Sequence, residues 1–392
     1  MKKNNKKGNV YIVLALDTEG PIVNKKKPEI INNWCKTKKL IKNITSNKFR
    51  TILKDSDNNG LIYSWFILTL TGFKTNPFKR PMKYHQNFDF YIKNFGKNFK
   101  KNNDGIYWHY HQPSKSGIGN EWSRDWLSSN EYINILNKLI VERNFFPSCF
   151  RAGGRIEDNN LSHWLEEFLP FDFSNCSGDI NWNRIESDGK KLIEVADWSN
   201  ASRKWCGYNP CFKDYQSNGS MKRYIFRSVD LKSPVYEISE KDILEAFELA
   251  RNGQNSLLSV FEHDRRFSLI ENIQEFLEKL NKISKKYKDI KFFFSNARNA
   301  ALKTLGIKNT KEPKFDFSKV KNDRIMIKSD SDIFGSRPYV CLKKNNQIYE
   351  MPVSKIGINT WLTPPLKKLT KTEIFVVANN ISGNNKVQKI IV

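Results

Sequence analysis

The sequence predicts an α/β fold built on a parallel sheet, followed by a small all-β domain. From Val10 to about residue 305, short apolar runs alternate with amphipathic stretches of helical spacing. Several of these runs are almost entirely apolar, as in strands buried on both faces. Beyond residue 306 the pattern changes to short strands separated by turn residues. Alternating strands and helices build parallel sheets through crossover connections, so the larger domain is expected to be an open sheet or a closed barrel.

The strands predicted in the larger domain are rich in Val, Ile, Phe, Tyr and Trp, which favour extended backbone. They are Val10–Leu16, Leu61–Thr69, Gly105–Tyr110, Cys149–Ala152, Leu257–Phe261 and Lys291–Phe294. The amphipathic stretches between them repeat their apolar residues on one helical face. They are Asn130–Arg143, Glu240–Asn252 and Leu269–Tyr287. Ser239 followed by acidic residues is typical of a helix start.

We divide the chain into a basic tail (residues 1–8), an α/β domain (9–305), a polar linker (306–322) and a small antiparallel β-sandwich (323–392). Asn-Asn and Gly-Asn-Asn turn signals separate the strands predicted in the last segment. These strands are Arg324–Ile327, Tyr339–Lys343, Gln347–Met351, Glu373–Ala378 and Val387–Val392.

The composition excludes several classes of protein. A hydrophobic fraction of 39% supports a folded core, and no stretch reaches the roughly 20 apolar residues that span a bilayer. The apolar run Val10–Leu16 follows several lysines as in a signal peptide. It is only seven residues long and ends in Asp17-Thr18-Glu19, so a buried strand and a cytoplasmic location are expected. The six cysteines form no CxxC pair, which favours reduced thiols.

The net charge of +25 suggests a nucleic-acid partner as one hypothesis. The basic residues are mostly Lys, are spread along the chain and are not interleaved with aromatic residues in a strip. This distribution disfavours nucleic-acid binding. An acidic glycan or a nucleotide-linked sugar fits the charge equally well.

Two predicted strands end in pairs of ionisable residues spaced by two. Asp17 and Glu19 project to the same side of extended backbone, at the strand end where parallel α/β folds place their active sites. Two adjacent carboxylates need a cation or a shared proton, although a helix N-cap with an acidic first turn is an alternative. His109 and His111 have the same spacing. Two neutral imidazoles and one carboxylate form a three-ligand metal shell that leaves a position for water; the alternative is one capping and one packing histidine.

Two further predicted strands end in single charged or titratable residues. Arg151 stands in Phe150-Arg151-Ala152-Gly153-Gly154-Arg155 and can hold a carboxylate in a bidentate pair, or form a structural ion pair. His263 is flanked by acids and can donate a proton near neutral pH, although a lone histidine is more often structural. Because parallel strands end at one rim, we expect all four strand ends to converge.

In order and content these four patches resemble the polysaccharide deacetylases, also called the NodB-homology or carbohydrate esterase 4 group. The resemblance covers about residues 9 to 300. It implies a distorted (β/α) barrel and a metal-dependent hydrolase that removes an N-acetyl or other acyl group from a sugar. The D-x-E and H-x-H spacings are similar to variant members, since the commoner forms have adjacent acids and histidines four apart. Ala196-Asp197-Trp198 is faintly similar to the family's fourth motif.

The resemblance also implies a role for each residue. It makes Asp17 the general base, Arg151 the residue that orients it, and His263 the general acid. It implies a divalent cation, with Zn²⁺ as the first candidate, held by Glu19, His109 and His111. Aromatic residues near the patches are candidates for stacking on sugar rings, or else for ordinary packing. We assign substrate binding to Trp108, Tyr110 and Trp198, and note Trp122 and Trp126 nearby.

Other functions stay open on the sequence alone. A protein of the same fold that binds glycans without catalysis is one, and the altered histidine spacing favours it. A hydrolase of a linear amide or cyclic ureide is another. The β-sandwich is expected to bind glycan, to mediate homo-oligomerisation or to cover an edge of the barrel.

Overall fold

The structure, a computed structural model, describes residues 7–24, 29–119, 121–185, 189–366 and 372–391. Residues 1–6 of the expected basic tail and Val392 of the last predicted strand lie outside these ranges. The described chain forms one mixed α/β part and a C-terminal all-β part.

The mixed part contains eight parallel strands, and all six that were predicted are present. Their bounds are β1 (Val10–Thr18), β2 (Tyr63–Thr69), β3 (Gly105–Tyr110), β4 (Cys149–Ala152), β5 (Phe171–Asn175), β6 (Tyr224–Asp230), β7 (Ser256–His263) and β8 (Phe292–Phe294). Each of β2 to β6 pairs with the next strand in sequence, and β1 pairs with both β7 and β2. Seven strands therefore close into a barrel, and β8 is added to β1 outside the ring. The predicted (β/α) barrel is confirmed.

Helices surround the barrel, and the three that were predicted are present to within a residue or so at each end. The helix bounds are α1 (Trp34–Ile44), α2 (Asn47–Arg50), α3 (Gln86–Lys101), α4 (Glu131–Arg143), α5 (Asn159–Phe168), α6 (Leu192–Val195), α7 (Glu240–Arg251), α8 (Leu269–Lys286) and α9 (Ala297–Leu305). Ser239 begins α7 as expected, since its hydroxyl accepts from the Asp242 amide while the Asp242 carboxylate accepts from the Ser239 amide. No helix in the described ranges is long and apolar enough to cross a membrane.

Alternate residues of each strand face opposite sides of the barrel wall. Tyr11, Val13 and Ala15 of β1 belong to a cluster that fills the interior, whereas Val10, Ile12 and Leu14 pack outward against the helices. Helix α9 adds three alanines to the interior cluster, and the Ala297 amide donates to Ser64 near the start of β2. The amino-terminal end of the barrel is thus filled by side chains, and its open end is the carboxyl one.

The all-β part is a sandwich of two four-stranded antiparallel sheets, with strand orders β13-β14-β10-β9 and β12-β11-β15-β16. The strands are β9 (Phe315–Val320), β10 (Arg324–Ser329), β11 (Tyr339–Lys344), β12 (Gln347–Glu350), β13 (Ser354–Gly357), β14 (Thr360–Leu362), β15 (Glu373–Val377) and β16 (Gln388–Ile391). Apolar residues from both sheets, among them Ile327 and Val376, share one core. The predicted C-terminal all-β part is present.

The linker assigned to residues 306–322 is wrong in its second half. Phe315–Val320 is strand β9, which pairs in register with β10 from Phe315 opposite Ser329 to Val320 opposite Arg324. The sandwich therefore begins before residue 323. Strand β9 forms here because Phe315 and Phe317 alternate with polar residues, which is the pattern of a half-buried strand. The surrounding Lys and Pro residues obscure this pattern in the sequence.

The sandwich is attached to the barrel's outer layer through buried polar contacts. The amide of Asn379 donates to the carbonyl oxygens of Pro147 and Phe168 at 2.8 and 2.9 Å. The Tyr339 hydroxyl donates to Asn137 of α4 at 2.9 Å. Of the roles expected for the β-sandwich, covering one side of the barrel is the one seen.

Candidate metal centre

The carboxyl end of the barrel collects the polar residues in which four strands end. The inward-facing rows of β1, β3, β4 and β7 run through apolar residues and finish at Asp17, His109, Arg151 and His263. The strand register sets Asp17 opposite His263 and His109 opposite Arg151. Together with Glu19 and His111, all six residues line one cavity of about 220 Å³, so the expected convergence of the strand ends is present.

The two imidazoles of His109 and His111 face each other through their Nε2 atoms, which lie 3.1 Å apart. His109 Nδ1 lies 2.9 Å from the carbonyl oxygen of Arg151. Because a carbonyl only accepts, Nδ1 carries the proton and Nε2 presents a lone pair. Burial lowers the pKa of His109 to about 3, and burial together with Arg80 lowers the pKa of His111 well below its usual value. Both rings are therefore neutral at neutral pH, the form that ligates metals.

Glu19 completes this group, and its two carboxylate oxygens have different partners. Oε1 lies 3.5 Å from His111 Nε2 and 3.3 Å from His263 Nε2. Oε2 accepts from Arg80 Nη1 at 2.7 Å and is also ion-paired with Arg265. One oxygen thus faces the imidazoles while two guanidinium groups hold the other.

Glu19, His109 and His111 could together hold a metal ion. One potential ligand atom from each lies within 4.8 Å of the others, and all three residues are buried. Ligand atoms about 2.0–2.1 Å from a tetrahedral metal are roughly 3.3 Å from one another, close to the separation of the two Nε2 atoms. The donor set fits a divalent cation with Glu19 binding through one oxygen.

The turn that carries Glu19 is held by Asp264, a residue next to the predicted His263. Its carboxylate accepts from the backbone amides of Glu19 and Gly20 at 2.9 and 3.0 Å, and from the Tyr91 hydroxyl at 2.5 Å. Burial raises the pKa of Asp264 to about 6. Gly20 has a φ of +70°, a left-handed conformation that glycine adopts without strain.

Gly153 makes room for His111. A Cβ atom at this position would overlap the His111 ring, so the first glycine of the Gly153-Gly154 pair is required by the close approach of backbone and imidazole. On its other side the ring contacts Trp122, with centroids 4.2 Å apart. The orientation of His111 is therefore set by packing, although its Nδ1 has no hydrogen-bond partner within the described ranges.

Asp17 is ionised and bound on one side only. Arg151 Nε donates to Asp17 Oδ2 at 2.9 Å, and the Arg151 guanidinium lies 3.5 Å from the Phe261 ring centre. Burial opposes the charge on Asp17, but Arg151 and the two nearby imidazoles outweigh it and lower the pKa to about 2. Among the described residues Oδ1 of Asp17 has no hydrogen-bond partner, so it can accept a proton or hydrogen bond from a ligand.

His263 is the most exposed of the predicted site residues, with 15% of its side chain accessible. Its backbone amide donates to Glu262 Oε1 at 2.8 Å, and Asn272 and Arg266 hold the same carboxylate at 2.7 and 2.8 Å. This support fixes the end of β7 while the imidazole stays at the cavity surface, where it can exchange a proton with a ligand.

The sequence interpretation missed several residues of the cavity wall: Arg80, Trp122 as a lining residue, Arg155, Asp230, Arg265 and Arg266. Burial lowers the pKa of Arg80 to about 10 and that of Arg265 to about 9, so both stay charged at neutral pH. Arg155 and Arg265 lie within a few residues of quoted motifs. Asp230 ends β6, a strand that was not predicted, and Arg80 lies in a loop without any periodic pattern.

The assignment of Trp108, Tyr110 and Trp198 to substrate binding is wrong. All three are at most 1% exposed. Trp108 and Tyr110 flank the inward-facing His109, so strand alternation points them outward into the helix layer, where Trp108 donates to Thr69. Trp198 packs edge-on against Tyr215 and donates to the Arg155 carbonyl oxygen. The aromatic side chains that line the cavity are those of Trp122 and Phe261.

The fold and the site define a (β/α)-barrel protein with a buried Glu/His/His group that could hold a metal ion at the carboxyl end of the barrel. No protein-family model matches the chain, and no curated protein matches it.

Proposed function

We propose that this protein is a metal-dependent hydrolase that removes an N-acetyl or other acyl group from a sugar or glycan intermediate. The observation that carries the proposal is the single cavity lined by Glu19, His109 and His111 together with Asp17, Arg151 and His263. A metal-ligating group, an ionised carboxylate and an accessible imidazole are the parts that amide hydrolysis requires. They also match the roles that the resemblance to polysaccharide deacetylases implies.

Glu19, His109 and His111 would hold the cation, with Zn²⁺ as the first candidate. A bound divalent cation supplies Lewis-acid polarisation of the acyl carbonyl and lowers the pKa of water. His109 stays in the required tautomer because the backbone carbonyl of Arg151 accepts a hydrogen bond from its Nδ1–H group.

Asp17 serves as the proton acceptor. Arg151 holds its Oδ2, which leaves Oδ1 to orient a water molecule and to take its proton as the water oxygen bonds to the acyl carbon. The low pKa of Asp17 keeps it ionised over the whole neutral range. Its basicity is correspondingly weak, so positioning contributes more to its role than basicity does.

His263 serves as the proton donor. When the bond between the acyl carbon and the nitrogen breaks, the amine needs a proton, and the His263 ring lies at the cavity surface where it can reach the amine. The products are then a free carboxylate and a sugar amine. Glu262 holds the backbone of His263 in place during this transfer.

A glycan-binding protein without catalysis is the second candidate, and one contact favours it. Arg80 and Arg265 neutralise Glu19 through Oε2, as two cations would at a site that has no need of metal. Metal content and acyl release separate the two candidates.

The deciding experiment uses the full-length protein, purified without chelators. We expect about one equivalent of divalent metal by mass spectrometry, and release of acetate from at least one N-acetylated sugar. A His109→Ala/His111→Ala variant should lose both, whereas His85→Ala, a half-exposed histidine outside the cavity, should keep both. Folded wild-type protein that is metal-free and releases no acyl group from any acylated sugar would contradict the proposal.

A further inference from the structure

Guanidinium groups dominate the charge of the cavity. Its wall carries five arginines against three carboxylates. The arginines are Arg80, Arg151, Arg155, Arg265 and Arg266. The carboxylates are Asp17, Glu19 and Asp230. A cavity that binds a neutral amide has no need for this excess of positive charge, and a bound dication would increase it.

Three of the arginines are engaged with the acids of the candidate centre. Arg151 holds Asp17, and both Arg80 and Arg265 hold Glu19. The positive charge of these three arginines is balanced by Asp17 and Glu19, and their guanidinium groups are oriented toward these two carboxylates. The remaining two, Arg155 and Arg266, pair with Asp230 and Glu262, and their side chains are the most accessible of the five.

Arg155 has a backbone conformation that aims it at the cavity. Its φ is +62°, in the left-handed region that large non-glycine residues rarely occupy. Trp198 Nε1 holds it there by donating to the Arg155 carbonyl oxygen at 2.8 Å. Its guanidinium Nη1 lies 3.4 Å from Asp230 Oδ2, and 19% of the side chain is accessible. Strained backbone supported in this way is typical of functional positions.

Arg266 lies where the cavity meets an adjoining groove of about 530 Å³, which also has Ser233 and Arg265 in its wall. Within the described residues its contacts use Nη1, with the Lys232 carbonyl oxygen at 2.6 Å and Glu262 Oε1 at 2.8 Å. The Nε and Nη2 groups are left to donate to a ligand, and 28% of the side chain is accessible.

We propose that Arg155 and Arg266 bind an anionic group, a carboxylate or a phosphate, on the sugar whose acyl group is removed. This inference rests on the proposed function for the identity of the ligand as an acylated sugar. The planar fork of a guanidinium matches both anions and binds them through paired hydrogen bonds. The cavity is smaller than the roughly 300–1,000 Å³ of drug-sized ligand pockets, so it takes one sugar unit, and the anionic group lies near the groove.

The test compares three probes by isothermal titration calorimetry on the full-length protein. They are N-acetylglucosamine, N-acetylglucosamine 1-phosphate and N-acetylglucosaminuronic acid, with acetate release followed in parallel. We expect at least one charged sugar to bind ten or more times more tightly than the neutral one. This preference should shrink as NaCl is added, because salt screens charge. The charged sugar that binds more tightly shows whether the site prefers a phosphate or a carboxylate.

Substitutions then locate the preference. Arg155→Gln and Arg266→Gln should each reduce the ratio of charged-sugar affinity to neutral-sugar affinity at least threefold. Arg155→Lys keeps the charge but not the planar guanidinium, so its preference for the charged sugar should lie between those of the wild type and Arg155→Gln. Arg251→Gln is the matched control, since Arg251 is exposed and pairs with Asp289 far from the cavity. Thermal melting of each variant shows that it is folded.

Three outcomes would overturn the inference: equal affinity for charged and neutral sugars, a preference unchanged by both substitutions, or no binding of any probe. Failure of the proposed function is separate. Tight binding of a charged sugar without acetate release would contradict the hydrolase and leave the anion site. Equally fast release from charged and neutral sugars would contradict the anion site and leave the hydrolase.

Discussion

His109 Nε2 and His111 Nε2 lie 3.1 Å apart in a buried setting, and the Nδ1 proton of His109 is committed to the Arg151 carbonyl. Two lone pairs cannot face each other at this distance without a proton or a cation between them, since buried polar atoms require a partner. The pair is therefore the most direct structural reason to look for a metal in this protein.

The first prediction concerns metal and stability. Adding Zn²⁺ in excess to chelator-treated protein should raise the melting temperature by several degrees, because a ligand that binds only the folded state stabilises it by roughly 3–4 kcal/mol at 100 to 1,000 times its Kd. The measurement is differential scanning calorimetry. His109→Ala/His111→Ala should abolish the shift, and an equal shift in that variant would place the metal elsewhere.

The second prediction separates chemistry from metal binding at Asp17. Asp17→Asn should lower acyl release by about 10²–10⁴-fold, the range typical of general acid–base residues. Metal content should stay near that of wild type, since Asp17 is not one of the grouped ligands. Initial rates with the best acylated sugar check this. A rate within a factor of two of wild type would remove Asp17 from the mechanism.

The third prediction tests the pairing of Arg80 with Glu19. Arg80→Gln removes a cation that lies 2.7 Å from the ligand carboxylate and that lowers the basicity of His111. We expect metal affinity to rise by about tenfold, because nearby positive charge opposes cation binding. Competition with a chromophoric chelator measures it. Weaker metal binding in folded Arg80→Gln protein would show that Arg80 supports the site.

The fourth prediction concerns the support of the Glu19 turn. Asp264→Ala removes the carboxylate that accepts from two backbone amides and from the Tyr91 hydroxyl, so the free energy of unfolding should fall by about 3–5 kcal/mol, as when a buried charged partner is lost. Tyr91→Phe deletes one of these hydrogen bonds and should cost about 1–3 kcal/mol. Urea denaturation compares the two. Equal losses would mean that the bonds to the Glu19 turn contribute nothing.

The fifth prediction concerns the glycine beside His111. Gly153→Ala should displace the imidazole and reduce metal affinity by at least tenfold, because the added methyl group overlaps the ring. Gly96→Ala, in helix α3 with only Ile92 nearby, should leave metal binding unchanged and slightly stabilise the helix. Chelator competition and melting curves measure both. Unchanged metal affinity in Gly153→Ala would mean that His111 is not a ligand.

The convergence of the site was predictable because two simple regularities govern it. Alternation put Asp17, His109, Arg151 and His263 on inward rows, and parallel strands brought their ends to one rim. The same alternation points Trp108, the residue just before the inward-facing His109, away from the cavity. The error in assigning it to substrate came from nearness in sequence rather than from strand geometry.

Other parts of the site left no local signal. Arg80 reaches Glu19 from the loop between β2 and α3, and only the folded chain shows that contact. Strand β6 was missed because Arg227 and Ser228 interrupt its apolar pattern. In the fold these are compensated, since Arg227 pairs with the buried Asp242 and Ser228 bonds with Ser259. Such pairing between distant residues cannot be read from one segment.

The alanine-rich face of α9 determines from which end of the barrel a ligand can reach the cavity. Since α9 closes the amino-terminal end of the barrel and aromatic side chains fill the space above it, the proposed substrate and both proposed products would pass through the carboxyl end. A free carboxylate left among the rim's arginines would block the next turnover. Acetate is therefore expected to inhibit competitively against the acylated sugar, which steady-state kinetics with added acetate would reveal.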